Sequence, residues 1–287
     1  MVAAGLTMST LAVHAQVPTP GPAQELPTQI SGIKFNTGQS VVPYYEGWIR
    51  NPDGSFDLVF GYFNRNHQQE LVIAPGPDNR VEPGGPDAGQ PTYFLPRRQR
   101  WIYRLRVPAD FGKKEVVWTL AANGRTERVV AALLPSEEIN ERVVATNGNF
   151  DTGESDRNKP PTIDLPAAPS AEAAIPLTLT ATVQDDGLPK PRTPPAPRPR
   201  PTTDQPAFGA QINSVVPVRS RGPTLNWIVY RGPARVTFDP AGPMPATIGQ
   251  PVIATARFAA PGTYTLVAVA SDGAMSARRQ VTIVVNP

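Results

Sequence analysis

The chain has no cysteine among its 287 residues. Disulfides, thiol catalysis and cysteine-based metal sites are therefore excluded, while compartment stays open, since exported proteins also do without cysteine. Histidine is almost as scarce, with His14 and His67 only. His14 falls in the leader described below. His67 lies in the polar turn Asn64-Arg65-Asn66-His67-Gln68, where no neighbouring nucleophile or orienting group would make it a general base. There is no G-x-S-x-G, no phosphate-cradling glycine loop and no H-E-x-x-H. These absences read as a protein that is not an enzyme and carries no cofactor. A glycosidase-like Asp/Glu pair would remain the one catalytic route, and no residue pair singles itself out for it.

Long apolar runs are missing too. Val2 to Val13 is mildly apolar and uncharged, but twelve residues fall short of the roughly 20 that a helix needs to span a bilayer. No transmembrane span is expected. Val13-His14-Ala15 before Gln16 is a small-x-small cleavage pattern, so residues 1–15 read as a signal peptide, although no Lys or Arg precedes the run. A proline-rich spacer, 16–33, follows. The expected location is periplasmic or extracellular, in a bacterial envelope.

Charged residues make up only 18% of the chain, whereas 36 prolines and 23 glycines supply 59 of 287 residues. That excess of helix breakers, without sustained 3.6-residue periodicity, fits short strands joined by turns. Residues 34–145 form a first β-rich unit with strand-like runs at 41–49, 56–64, 70–74, 92–95, 101–107, 115–121 and 128–133. Turns at Asn51-Pro52-Asp53-Gly54 and Pro75-Gly76-Pro77-Asp78 and a hairpin dipeptide, Asn123-Gly124, punctuate them. Alternation predicts that Phe56, Leu58, Phe60 and Tyr62 share a face. It likewise groups Trp101, Tyr103, Leu105 and Val107, with Arg100, Arg104 and Arg106 opposite. Trp48 and Trp118 are candidate core residues. The run 131–145, broken by Pro135, reads as a strand end and a short helical turn.

An acidic linker, 146–161, leads to a second β-rich unit, 162–287. Its strand candidates are Ile163, 177–183, 225–230, 235–238, 252–258, 263–271 and 279–285. Inside it, residues 190–223 are rich in proline and carry Lys190, Arg192, Arg198, Arg200, Arg219 and Arg221 against Asp204 alone, a net charge of +5. The whole chain is +3, so everything outside that stretch sums to −2. The basic character resides in one polyproline-like insertion.

The residues of the second unit carry a resemblance. Asp185-Asp186-Gly187-Leu188-Pro189 comes first, then Leu225-Asn226-Trp227, then Gly232-Pro233 with Val236 and Phe238. Ala256 and Phe258 follow, and Pro261-Gly262-Thr263-Tyr264 leads to Ser271-Asp272-Gly273. In order and spacing this resembles a PKD-like domain over about 125 residues, with the Pro/Arg-rich insertion as the departure. The resemblance implies an immunoglobulin-like sandwich used outside the cell for adhesion, spacing or protein contact, with no catalytic residues to carry over. The expected fold class is all-β: two immunoglobulin-like antiparallel sandwiches in tandem, with a Pro-rich N-terminal arm and a Pro/Arg-rich insertion.

Three sets of residues are candidates for binding. Asp151, Glu154 and Asp156 in the linker, with Asp185, Asp186 and Asp272 at strand ends, make an oxygen-rich set of the kind that holds Ca²⁺ between tandem sandwiches; the same residues also suit Asp-Gly turns and a soluble linker. Arg97, Arg98, Arg100, Arg104 and Arg106 would form a docking face for an acidic partner, or guard a strand against edge pairing. Arg192, Arg198 and Arg200 in the insertion would favour acidic protein surfaces or anionic lipid. Nucleic acid is not expected, because Phe208 is the only aromatic in the insertion. The reading is therefore an exported structural or accessory protein contacting a larger envelope or membrane-bound complex. The alternative is a carbohydrate-binding or adhesion module, with Tyr44, Tyr45 and Trp48 as its nearest aromatic platform.

Overall fold

The computed structural model describes residues 34–149, 157–167, 170–190 and 222–287. The expected leader, the spacer, most of the insertion and the linker acids Asp151, Glu154 and Asp156 lie outside them. Residues 35–287 form one compact unit. Its described residues are all-β apart from a 3₁₀ turn at Pro135–Glu137 and helix α1, Glu141–Ala145.

The first sandwich contains eight strands. They are β1 (Val41–Arg50), β2 (Phe56–Asn64), β3 (Leu71–Val72), β4 (Asn79–Glu82), β5 (Tyr93–Phe94), β6 (Arg97–Val107), β7 (Val116–Ala122) and β8 (Arg125–Ala131). They pair as β1-β2-β6, β4-β7-β8 and the short ladder β3-β5. At the β7–β8 hairpin, Asn123 and Gly124 have φ of 50° and 74°, the type I′ geometry whose twist matches its strands. Between the two three-stranded sheets the core is aromatic. Phe60 stacks on Tyr103 at 5.5 Å and meets Trp118 edge-on at 5.9 Å, while Tyr62 meets Phe94 at 4.9 Å. The expected face of Phe56, Leu58, Phe60 and Tyr62 is buried in this core, as are Trp48 and Trp118.

Trp101 departs from the expected alternation. Gly61 of β2 faces a bulge in β6, because Phe60 pairs with Tyr103 but Tyr62 pairs with Gln99. Trp101 takes φ of 57° there and turns to the opposite face from Tyr103. It joins Ile49, Val59 and Val144 in a separate small core roofed by α1. Asn140 caps that helix, accepting a hydrogen bond from the Val143 amide at 3.0 Å.

The described residues of the second sandwich form nine strands: β9 (Thr162–Asp164), β10 (Ala171–Glu172), β11 (Leu177–Gln184), β12 (Thr224–Arg231), β13 (Val236–Asp239), β14 (Met244–Pro245), β15 (Pro251–Phe258), β16 (Gly262–Ser271) and β17 (Ser276–Asn286). A five-stranded sheet, β10-β17-β16-β12-β14, faces a four-stranded one, β13-β15-β11-β9. The chain crosses between sheets early, since β9 pairs with β11 while β10 pairs parallel with β17. The inward residues fall at every second position. On β16 and β15, Tyr264, Leu266, Ala268 and Ala270 face Ala254, Ala256 and Phe258. The protein is thus a tandem of immunoglobulin-like sandwiches.

Candidate functional site

The two sandwiches share an extensive junction, and most of its residues are not conspicuous in the sequence. Tyr93 of β5 lies in the core cluster of the second sandwich, with Leu95 packed against it. The Thr92 amide donates to the Tyr230 carbonyl at 3.2 Å, and the Gly232 amide donates to Thr92 Oγ1 at 3.1 Å. Tyr230 Oη donates to the Gly89 carbonyl at 2.5 Å, and Arg231 pairs with Asp87 at 2.7 Å. Burial pushes the Tyr230 hydroxyl above its usual range, favouring the protonated, donating form. Gly232 is required here, because a Cβ would come within 2.7 Å of Tyr264 Cε1 and closer still to Cδ1. On the far side of the junction, Ser276 reaches Ala145 O at 3.5 Å. Arg278 Nη1 and Nη2 donate to the carbonyls of Trp101 and Arg100 at 3.2 Å each. The Tyr-Arg-Gly-Pro stretch at 230–233 is a strand end in sequence terms. Only the fold shows that it grips another sandwich.

The predicted arginine face of β6 is occupied by acids of the same chain. Glu46, its side chain only 5% exposed, lies 2.7 Å from Arg98 and 3.5 Å from Arg100. Gly61 leaves room for that carboxylate, since a Cβ there would collide with Glu46 Oε1 and lie 2.5 Å from Gln99 O. Arg104 makes a two-point pair with Glu141 at 2.6 and 2.8 Å. Arg106 pairs with Asp57 at 2.9 Å. Burial would raise the Asp57 carboxyl, but the Arg106 and Asn51 hydrogen bonds outweigh it and hold the group below the usual range. Arg97 and Arg98 lie over the rings of Phe63 and Tyr44, at 4.8 and 3.8 Å. Their binding capacity is thus largely used within the fold. Arg192, Arg198 and Arg200 lie outside the described residues.

The aromatic trio is divided. Trp48 is buried against Phe56 and donates Nε1 to Leu134 O, and Tyr45 Oη donates to Ala132 O. Only Tyr44 is exposed, beneath Arg98.

The described carboxylates of the predicted cation set do meet, at one end of the second sandwich. Asp272 caps the β16–β17 turn, its Oδ1 accepting from the amides of Ala274 and Met275 at 2.6 Å. Its Oδ2 accepts from Asn158 Nδ2 at 3.0 Å, tying down the chain where it enters the sandwich. Asp186 accepts from the amides of Leu188 and Lys159, and Asp185 Oδ2 accepts from Gly187. Two oxygens of this cluster have no donor: Asn158 Oδ1 and Asp185 Oδ1. Asn158 is 3% exposed and Asp272 4%. Burial first, then the charges of Asp272 and Asp186, push the Asp185 carboxyl above its ordinary value. The fit to a hard cation is partial. The free oxygens and the negative surroundings suit one, yet most carboxylate oxygens are engaged by amides. Among the described residues no three Asp, Glu or His side chains are arranged to hold a metal ion.

No family model matches the chain, and no curated protein matches it. Among solved structures it is similar to domains 4 and 5 of the S-layer protein SbsC, at 12% identity and a TM-score of 0.25, covering 61% of this chain and 66% of that one. It is also similar to the D00-D0 domain of intimin, at 14% identity and 0.24, covering 85% and 99%. The fibronectin(III)-like modules of Clostridium thermocellum CbhA match at 12% identity and 0.25, covering 86% and 94%. Likeness of this degree concerns architecture alone. Among the described residues no helix is long and apolar enough to cross a membrane.

Proposed function

We propose that the protein is a non-catalytic, exported structural or accessory subunit. In this reading it is a stiff two-sandwich strut that makes protein–protein contacts within a larger envelope or membrane-bound assembly. The observation that supports this most is the junction. A backbone hydrogen bond at Thr92, the Tyr230 hydroxyl and a core shared through Tyr93 lock the two bodies at one angle. Surfaces on both sandwiches are then held at a fixed separation, which suits a spacer or adaptor more than a string of independent modules. The proline-rich segments 16–33 and 190–223 would supply contact arms, since a proline-rich chain loses less entropy on docking than an ordinary one. Acidic proteins are the partners favoured for the basic insertion, with anionic lipid as the other surface it would suit.

The test is co-purification from native envelope fractions with and without residues 190–223. Loss of a defined partner, with an unchanged melting profile of the sandwiches, supports the reading. A partner retained in full by the deletion variant removes the insertion from the contact. The carbohydrate-binding alternative has less support, because Tyr45 and Trp48 belong to the core; a polysaccharide pull-down checks it.

The two donor-free oxygens favour a second, compatible reading. A hard cation such as Ca²⁺ would sit against Asn158 Oδ1 and Asp185 Oδ1, with water completing the six to eight oxygens it needs. It would tie the chain entry at Asn158 to the Asp185-Asp186 and Asp272 turns. Raised thermal stability with calcium, abolished by chelator and absent in Asp185→Asn, is the expected result; identical melting curves would remove the cation.

A further inference from the structure

Beside the junction lies a cleft of about 640 Å³. One wall is β6 of the first sandwich, with Trp101 and Arg104, and the roof is α1, with Glu141 and Val144. The opposite wall comes from the second sandwich, with Tyr230 and the start of β17 at Ser276 and Arg278. Among the described residues, three ionised side chains line it. Arg104 and Glu141 neutralise each other in their two-point pair. Arg278 has no acidic partner among the described residues, and its guanidinium is anchored only by the carbonyls of Arg100 and Trp101.

Those two hydrogen bonds use two of the five N–H groups of the guanidinium fork, leaving three. The side chain is exposed at the cleft, so solvent and ligands reach it. Protein nonetheless crowds it on other sides. That desolvation, with the nearby Arg104 charge adding to it, lowers its pKa to about 10 while leaving it protonated at neutral pH. A cation held in this state gains more from an incoming anion than one surrounded by water.

We infer that the cleft between the two sandwiches is a docking site for an acidic peptide segment of a partner protein, with Arg278 receiving a single side-chain carboxylate. The described lining carries a net charge of +1, which one carboxylate balances. A phosphate dianion would leave excess negative charge beside Glu141. The planar fork matches a carboxylate in two-point geometry. Because the walls come from both sandwiches, the site exists only while the junction is closed. This inference rests on the contact-module reading and adds to it the chemistry of one contact.

The test follows the Arg278 Nε–H cross-peak in arginine-labelled full-length protein. The probes are N-acetyl-glutamate amide and, as the uncharged control, N-acetyl-glutamine amide. The glutamate probe should shift the cross-peak saturably in the millimolar range, and the glutamine probe should not. A peptide library with one fixed glutamate should then bind more tightly than its glutamine counterpart. Arg278→Lys should weaken peptide binding about tenfold while keeping the charge, and binding measured well below its melting temperature separates that loss from any weakening of the junction. Glu141→Gln, which frees Arg104, should strengthen binding about twofold to fivefold, a gain that a purely structural arginine would not give.

Equal response to both probes, or full affinity in Arg278→Lys and Arg278→Gln, overturns the proposal. Binding seen only when Asp151, Glu154 and Asp156 are changed to amides also overturns it, because the chain's own acids would then be the occupant. An envelope partner retained while Arg278 ignores the glutamate probe sinks the cleft and leaves the contact module standing. Probe binding with no partner in the envelope sinks the contact module instead.

Discussion

The two sandwiches solve the same packing problem in different ways. The second has two broad sheets of five and four strands, and their ladders satisfy most backbone groups directly. Its core can therefore be apolar and closely spaced, with Ala181, Ala254, Ala256, Ala268 and Ala270 letting the sheets approach around Trp227, Phe258 and Tyr264. The first is divided into sheets of three, three and two strands, which puts a larger share of its strands at sheet edges. Buried amide side chains hydrogen-bond to its backbone. Asn79 Nδ2 donates to Ile73 O and Pro91 O while its Oδ1 accepts from Trp118 Nε1, all with no exposure. Asn64 donates to Gln69 O and Phe94 O, and Asn66 both donates to and accepts from the Gln39 backbone. A fragmented sandwich is held by polar staples around large aromatics. A continuous one is held by its ladders and small side chains.

The sharpest way to break this contrast is Asn79→Ala. It strands two backbone carbonyls and the Trp118 indole inside the core, each worth about 1–3 kcal/mol, so the first sandwich should lose about 3 kcal/mol or more. Chemical denaturation monitored by tryptophan fluorescence would show it. A loss under 1 kcal/mol would mean that water replaces the staple. Next in size is Gly232→Ala, which drives a methyl into the Tyr264 ring and should cost about 1–3 kcal/mol. Its effect should appear in the second sandwich and in hydrogen exchange at Thr92, whose hydroxyl accepts the Gly232 amide. If Thr92 protection is unaltered, the sandwiches are less coupled than their hydrogen bonds indicate.

A smaller, pH-dependent effect belongs to Asp185. Its folded pKa is raised, so the folded state binds this proton more tightly than the unfolded chain does. The ionised carboxylate therefore weighs against folding at neutral pH, and that burden is relieved as pH falls through the folded value. In chelator, Asp185→Asn should raise the melting temperature near pH 7 and lose that advantage in acid. A pH-independent difference would contradict the assignment. The smallest effect expected is Arg231→Gln, which removes an exposed pair with Asp87 and should cost about 0.2–1 kcal/mol. A double-mutant cycle with Asp87→Asn isolates it.

Much of the architecture is legible in local sequence because a strand announces itself every second residue. β2 runs from Phe56 to Asn64 as the alternation predicts, and β16 differs from its expected start by one residue. The hairpin at Asn123-Gly124 follows from the left-handed geometry those residues tolerate. Two-residue strands such as β10 and β14 are not legible, since a single pair of residues has no period and owes its pairing to what lies beside it. The reversal at Trp101 is likewise hidden, because alternation presumes an unbroken ladder and the bulge opposite Gly61 interrupts it.

The candidate sites divide in the same way. Asp185, Asp186 and Asp272 stand out as carboxylates at turns, but Asn158 does not, although it is bonded to Asp272 across 114 positions of the chain. The arginines of β6 are visible as a cluster, yet Glu46, Asp57 and Glu141, which engage four of them, are scattered.

What the sequence determined by itself is the all-β character and most of the strand faces, through side-chain period and turn chemistry acting over a few residues. Only the tertiary structure decided which charges are spent and which remain. Arg278 stands beside Arg100 and Trp101, 178 and 177 positions away, because two separately folded sheets are pressed together at Tyr230 and Thr92. Coulomb interactions and hydrogen bonds depend on distance in space, and a linear chain fixes that distance only among near neighbours.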